Sequence, residues 1–336
     1  MWAAGFLMLP VCAAAQSSND PGKISGYAFG DAYFVSQHHS SAIESASDVW
    51  FRRMYLWYDK GLGEGFSMRF RMEMDGPGDF SGNSDMSPFV KDLYLRYQKG
   101  MNDVYLGLIP TPTYSDQEDR LGYRWIEKTP DDLYKLGTSR DHGVSVKGPL
   151  SRDGKTTYWL MVGDGNGTSA KPNRGSTIYG QIAQQLTPEV SLEGYADHWN
   201  KTGHEDYNTL QGNLMYVSAR THAALLFTHQ NRENGANPSS IRQVISLYAD
   251  TKISANARPF ARVDFLSSPI PGADTISYLS LSPNATPTFY IAGVAFDVSK
   301  DVKFAPNLEY VTYKNPTVSP GPKSDLFLRL TFQFSW

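Results

Sequence analysis

Two segments of the chain alternate strictly between apolar and polar side chains over ten or more residues. In residues 66–75, Phe and Met occupy one face and Ser, Arg, Glu and Asp the other. Residues 326–336 repeat the pattern with Leu, Phe and Trp on one face. Period-two alternation predicts β-strands. A strand in a soluble sandwich needs only about five or six residues, whereas a tilted transmembrane strand needs about 9–11. Both segments therefore favour a transmembrane β-barrel.

Sixteen segments of this kind follow one another along the chain. They cover approximately 24–36, 48–59, 66–75, 89–98, 103–109, 142–149, 155–163, 176–186, 189–200, 206–218, 221–231, 240–251, 257–267, 287–297, 302–312 and 324–336. The connections between them alternate in length: the even ones are tight turns such as Thr187-Pro188, and the odd ones are mostly much longer. Outer-membrane barrels sort their connections in this way, with short periplasmic turns and long external loops. The sequence therefore predicts one all-β domain, a closed antiparallel barrel of about 16 strands in the outer membrane.

Composition agrees with that fold and excludes others. Charged residues make up 19% of the 336, the formal net charge is −3, and no run of 18 apolar residues occurs beyond the first 15 positions. A helical membrane protein is thereby excluded. The slightly negative charge argues against a general nucleic-acid binder, so no nucleic-acid partner is expected.

The first fifteen residues have the properties of a secretory signal peptide. Residues 1–15 are apolar, too short to span a bilayer, and end in three alanines before a polar stretch. This is an h-region followed by a cleavage site, although no Lys or Arg precedes it. The alternative is a buried N-terminal strand. Cleavage removes Cys12, the single cysteine, so the mature domain, 16–336, is expected to be stabilised by sheet closure rather than by disulfides.

Several segments resemble, in the right order, those of the phosphate-selective porin O and P family. They are FRR within 48–56, KDLYLRY at 91–97, WIEK at 125–128, SRDHGV at 139–144 and GDGNG at 163–167. The resemblance covers about residues 25–200 and the end of the chain. It implies a sixteen-stranded, homotrimeric outer-membrane porin. It also implies that Phe334 and Trp336 belong to a C-terminal signal read by the barrel-assembly machinery. The family's lysine-rich loops are not evident here.

The third long connection, Pro110 to Asp141, is by far the longest. A connection of that size in a compact chain is usually functional. We expect it to fold into the lumen and narrow a channel that sixteen strands would otherwise leave wide. The alternative is an external loop that packs on a neighbouring subunit. Its predicted pore-lining acids are Asp116, Glu118, Asp119 and Glu127.

Arginines on the water-facing sides of the strands are the second group of predicted pore-lining residues. They are Arg53, Arg69, Arg71, Arg96 and Arg329; Arg140, near the end of the third long connection, is predicted to line the pore as well. Alternation allows only one of Arg52 and Arg53 to face the lumen and does not settle which. Arginines opposite an acidic loop would create a transverse field that separates anions from cations. The alternative is that Glu73, Asp75 and Asp92 neutralise these arginines within the wall.

The predicted function is passive diffusion of small hydrophilic solutes through the outer membrane, with a weaker prediction of preference for anions such as phosphate. The expected contacts are these solutes, outer-membrane lipid and two further copies of the chain. An outer-membrane barrel hydrolase and a soluble periplasmic carbohydrate-binding protein are the alternatives. No catalytic signature occurs, so no enzyme and no cofactor are predicted. His38-His39 lack a cysteine or carboxylate at ligand spacing, so no metal site is predicted.

Overall fold

The computed structural model describes residues 21–80, 82, 85–169, 175–201, 205–234 and 237–336, and the predicted signal peptide lies outside them. The strands are β1 (Lys23–Gln37), β2 (Ser47–Gly63), β3 (Phe66–Asp75), β4 (Ser87–Lys99), β5 (Asn102–Pro110), β6 (Arg140–Pro149), β7 (Thr156–Gly163), β8 (Ser176–Gln185), β9 (Val190–Lys201), β10 (Glu205–Val217), β11 (Thr221–Asn234), β12 (Asn237–Thr251), β13 (Ala257–Leu266), β14 (Thr286–Asp297), β15 (Val302–Lys314) and β16 (Asp325–Ser335).

The strands form one closed antiparallel barrel in which each strand pairs with its neighbours in sequence. β1 and β16 close it, with Tyr27 opposite Ser335 at one end and Gln37 opposite Leu326 at the other. Closure leaves no strand with unpaired backbone groups, which is the condition for a sheet to cross a bilayer. The predicted sixteen-stranded barrel is confirmed.

Side chains alternate between a polar inner face and an apolar outer face. In β9, Ser191 and Glu193 are buried on the inside, whereas Leu192 between them is 48% exposed on the outside. Leu, Ile, Val and Phe are similarly exposed on strands all round the barrel. An apolar exterior of this kind is stable only against lipid. No helix of the described residues is long and apolar enough to cross a membrane.

Short and long connections lie at opposite ends of the barrel. Seven tight turns, such as Gly63 to Phe66, and both ends of the described chain lie at one end, which we name the turn end. The odd connections lie at the other, the loop end. One of these, between β11 and β12, is shorter than predicted, because β11 extends to Asn234 and β12 begins at Asn237, and these two residues pair.

The connection between β5 and β6, residues 111–139, is the third at the loop end and is named the third loop. It contains two short helices, α1 (Ser115–Leu121) and α2 (Pro130–Leu133). Its buried apolar side chains form a single cluster with those of the connection between β13 and β14, residues 267–285, and with inner-face residues of the strands. This is the seventh connection at the loop end. Leu133, Ile276 and Phe289 represent these three sources, and each is almost fully buried. Two connections therefore contribute to this apolar cluster together with inner-face side chains of the strands, which supply most of its members.

Candidate functional site

A β-bulge in β2 brings two adjacent arginines to the inner face. The pairing with β1 shifts between Phe29 and Gly30, so Arg52 has no partner residue on β1. Arg52 forms an ion pair with the inner-face carboxylate Asp31, and Arg53 contacts an inner-face carboxylate of β3. The expectation that only one of the two arginines faces inwards was wrong, because a bulge inserts one residue and interrupts the alternation.

A second bulge has the same effect in β4. Arg71 of β3 pairs with Asp92, but the next residue, Met72, pairs with Val90, so Lys91 is the inserted residue. Lys91 and Asp92 consequently both form ion pairs on the inner face. Sequence reasoning missed Lys91. The signal available was the charged pair 91–92, which interrupts an otherwise regular alternation.

Four basic side chains form what we name the basic wall: Arg53, Arg71, Lys91 and Arg140. They share two buried carboxylates. Glu73 contacts Arg53 and lies 2.8 Å from Lys91 Nζ. Asp92 lies 3.2 Å from Arg71 Nε and also contacts Arg140.

The basic wall presents positive charge to the lumen. The basic side chains are 11–16% exposed, whereas neither carboxylate is exposed at all. Each carboxylate is shared by two cations, so each group keeps one positive charge in excess. Asp75, 3.7 Å from Arg53, offsets part of that excess. The proposed neutralisation within the wall is thus present but incomplete.

Two further predicted arginines lie closer to the turn end and are paired one to one. Arg69 donates two hydrogen bonds to Asp59, of 2.6 and 2.8 Å. Arg96 donates one of 2.7 Å to Asp103. Both arginines are on the inner face, as predicted, but their charges are balanced by single carboxylates.

The third loop carries a group of acidic side chains. Glu118 of α1 and Asp132 of α2 each lie 3.1 Å from Arg124, which they share. Two carboxylates around one guanidinium leave one negative charge in excess. Asp116 and Asp119 extend the acidic surface along α1, and Asp119 is exposed. We name Asp116, Glu118, Asp119 and Asp132 the acidic face.

Electrostatic effects on the loop carboxylates show that the acidic face and the basic wall are neighbours. Burial raises the pKa of Glu118, while Arg124 and, from the wall, Lys91 act in the opposite direction. Burial also favours a higher pKa for Asp132. There, however, Arg124 together with the wall residues Arg53 and Lys91 contributes to lowering the pKa to about 2. Asp132 is therefore ionised at neutral pH.

Five charged residues form a buried cluster between the third loop and the strands β1, β2, β15 and β16. Arg52 contacts Asp31 and lies 3.3 Å from Glu127 Oε2. Arg329 lies 2.9 Å from Glu309 and 3.8 Å from Glu127. Their side chains are at most 5% exposed. Glu127 and Arg329 were predicted to line the pore, and this prediction was wrong. The third loop covers these strands, and strand periodicity does not reveal which strand residues a loop covers.

Hydrogen bonds join the third loop to β9, β11 and β13. Tyr134 donates to Asp264 of β13 (2.7 Å), and Thr228 of β11 donates to Asp131 (2.6 Å). On β9, Ser191 accepts a hydrogen bond of 2.9 Å from Arg120. These contacts lie opposite the β2–β6 sector that carries the basic wall.

The C-terminal aromatic residues lie on the outer face. Phe334 and Trp336 are 38% and 52% exposed, and their ring centroids are 6.0 Å apart. The backbone N–H of Trp336 donates to the carbonyl of Gly26 (3.0 Å), which extends the pairing that closes the barrel. Their role as an assembly signal stays a prediction.

Among the described residues, the histidines form no arrangement typical of a hydrolase. Throughout the part of the chain that the structure describes, no serine hydroxyl is hydrogen-bonded to a histidine ring. His222 pairs with Asp250 (3.1 Å), as in part of a catalytic triad, but Asp250 also binds Arg258. His38, His39 and Asp325 form a group that could hold a metal ion, away from the basic wall.

These features define a class of protein: a closed sixteen-stranded barrel with an apolar exterior and a charged interior is an outer-membrane β-barrel protein. No protein-family model matches the chain, and no curated protein matches it.

Solved structures of bacterial porins and other outer-membrane proteins share the fold. Salmonella typhi OmpF in complex with daunomycin superposes with a TM-score of 0.66 at 10% identity, covering 94% of this chain and 97% of that one. OmpT of Vibrio cholerae, an outer membrane protein in trimer form, gives 0.64 at 10% identity, covering 94% and 99%. A mutant of the Rh. blastica porin gives 0.59 at 13% identity, covering 94% and 100%. The chain therefore has the porin fold.

Proposed function

We propose that this protein is a porin through which small hydrophilic solutes diffuse passively across the outer membrane. The observation that carries the proposal is the pair of oppositely charged surfaces inside a closed barrel, the basic wall on β2–β6 and the acidic face of the third loop. Partly exposed charges on both surfaces are typical of a hydrated passage. The proposal gives the chain no catalytic role.

The third loop, in this proposal, lies within the lumen and forms the constriction. Its hydrogen bonds to β9, β11 and β13 support this placement, since they hold it on one side of the barrel. The remaining passage then runs between the acidic face and the basic wall. Sixteen strands enclose a wide aqueous channel unless a connection narrows it.

Charge balance supports a preference for anions, phosphate among them. The group around Asp92 carries one excess positive charge, and the group around Glu73 carries an excess that Asp75 partly offsets, whereas the group around Arg124 carries one excess negative charge. Arginine suits this role because its planar guanidinium binds phosphate or carboxylate through two hydrogen bonds. We include in this proposal the resemblance of short sequence segments to the phosphate-selective porin O and P family.

We further propose that the mature chain is inserted by the barrel-assembly machinery and forms a homotrimer in outer-membrane lipid. The exposed aromatic C-terminus supports the first statement. The trimer form of Vibrio cholerae OmpT, which shares the fold, supports the second.

Conductance across a planar lipid bilayer tests the proposal. Purified mature protein, shown to be folded by its heat-modifiable migration on a gel, is added to a bilayer between unequal KCl concentrations. Stepwise open channels with a reversal potential on the anion-selective side are expected. The same protein after boiling is the control. Folded protein that gives no conductance would refute the porin function, and a cation-selective reversal potential would refute only the anion preference.

A further inference from the structure

Three potential metal ligands meet at the loop end, where β1 finishes and β16 begins. His38 and His39 directly follow β1, and Asp325 is the first residue of β16. One ligand atom from each lies within 4.8 Å of the other two. The carboxylate that the local sequence around the histidines lacks is thus supplied from the far end of the chain by closure of the barrel.

The surroundings of His38 prepare one ring nitrogen to bind a metal. Its Nε2 lies 3.1 Å from the carbonyl oxygen of Ser280, which can only accept, so Nε2 carries the proton. Its Nδ1 accepts the backbone N–H of Ser40 (3.0 Å) and therefore has a lone pair. Histidine ligands usually donate their other N–H to such a carbonyl, which fixes the tautomer.

Asp325 and His39 complete the set. The Asp325 side chain is fully buried, and both its oxygens lie 3.0 Å from His39 Nδ1. The Tyr313 hydroxyl donates to Oδ2 of Asp325. Oδ1 accepts the backbone N–H of His39 (2.6 Å) and keeps a second lone pair, which makes it the ligand oxygen. Ligand atoms around a tetrahedral zinc ion are about 3.3 Å apart for bonds of about 2.0–2.1 Å. The His39–Asp325 separation of 3.0 Å is close to that value, and since no two of the three ligand atoms are more than 4.8 Å apart, side-chain rotation can bring them to it.

We propose that His38 Nδ1, His39 Nδ1 and Asp325 Oδ1 form a site for a divalent transition metal ion of the Zn²⁺ type, with water as the fourth ligand. Two imidazoles and one carboxylate suit Zn²⁺ or Cu²⁺, whereas Ca²⁺ and Mg²⁺ prefer oxygen ligands. His39 is partly exposed and provides the entry path. The hydrogen bond between His38 and Ser280 links the site to the connection between β13 and β14. A bound ion therefore joins this connection to the end of β1 and the start of β16 at the mouth of the barrel.

Zinc binding to the folded, detergent-purified mature protein tests the site. Equilibrium dialysis against Zn²⁺ alone, followed by metal analysis, should give one ion per chain for the wild type. His39→Gln and Asp325→Asn should each weaken binding by at least about tenfold. His198→Gln is the matched control. It removes an exposed histidine on β9 whose ring is hydrogen-bonded to the side chain of Asn208 (2.9 Å), and it should bind zinc like the wild type.

A positioning residue and a spectrum keep the test decisive if a ligand variant folds poorly. Tyr313→Phe keeps all three ligands and should weaken binding by about tenfold, because the orienting hydrogen bond to Asp325 is lost. Co²⁺ in the wild-type site should show the strong visible absorption of tetrahedral coordination. Wild-type protein that binds no Zn²⁺, or binding unchanged in His39→Gln, would overturn the proposal. Neither result bears on conductance, which is measured separately.

Discussion

Removing two charges from the basic wall should lower the preference for anions without opening the barrel. The variant is Arg71→Gln with Lys91→Gln. Each buried carboxylate then keeps one basic partner, Glu73 with Arg53 and Asp92 with Arg140. No carboxylate is left buried and unpaired, so the variant should fold, whereas the two groups together lose two positive charges.

The size of the effect follows from Coulomb's law. An ion passing about 6 Å from each lost charge changes in energy by ~0.7 kcal/mol per charge in water, or ~1.4 kcal/mol for both. A Debye length of about 10 Å at 0.1 M salt reduces this to roughly 0.8 kcal/mol, about a fourfold change in local anion concentration. At 1 M salt the Debye length is about 3 Å and the effect falls below about twofold.

Reversal potentials in planar bilayers measure the change. The chloride-to-potassium permeability ratio of the variant should fall at least about fourfold at low salt and approach that of the wild type at high salt. Arg152→Gln with Lys155→Gln is the matched control. It removes two positive charges at the exposed turn between β6 and β7 and should leave the ratio nearly unchanged.

One result would refute this reasoning. An unchanged ratio at low salt, in protein with normal heat-modifiable migration, would mean that permeating ions do not pass the basic wall. The selectivity-determining passage would then lie elsewhere in the lumen. An equal fall in the control variant would instead indicate a general surface-charge effect.

Two further predictions concern assembly and pH. Deleting Trp336 should abolish outer-membrane insertion, although losing one lipid-facing aromatic costs only about 1.5–3 kcal/mol. Phe227→Ala, at another exposed aromatic, should insert, and normal membrane levels of the deletion would contradict the signal role. Burial raises the pKa of Asp131 in α2 to about 7, well above the usual value of about 3.9. The folded state therefore binds this proton more tightly, and the stability it contributes below about pH 4 is lost as pH rises towards 7. Asp131→Asn should reduce the fall in the heat-modification temperature between about pH 5 and pH 7.5, and an identical fall would contradict the assignment.

The strands could be predicted because their signal is local. Alternation in 66–75 or 326–336 appears in neighbouring residues, and a strand that faces lipid on one side and water on the other must show it. The alternation of short and long connections is also a property of chain order, so the strand count and the sorted ends followed from it. The inner-face positions of Arg69, Arg71 and Arg96 followed from the same pattern, because each lies in a regular part of its strand.

The site required the tertiary structure because its features depend on partners distant in sequence. The bulges at Arg52 and Lys91 are fixed by pairing with neighbouring strands, which the periodicity of one strand does not contain. Burial of Arg329 depends on where the third loop packs.

By itself, then, the sequence determined a closed sixteen-stranded barrel, since each strand carries its own facing pattern. Tertiary structure alone decided which charges are paired, exposed or covered, since barrel closure and loop packing bring together side chains that are hundreds of residues apart. Asp325 reaches His39 across 286 positions of the chain, and no local pattern records such a contact.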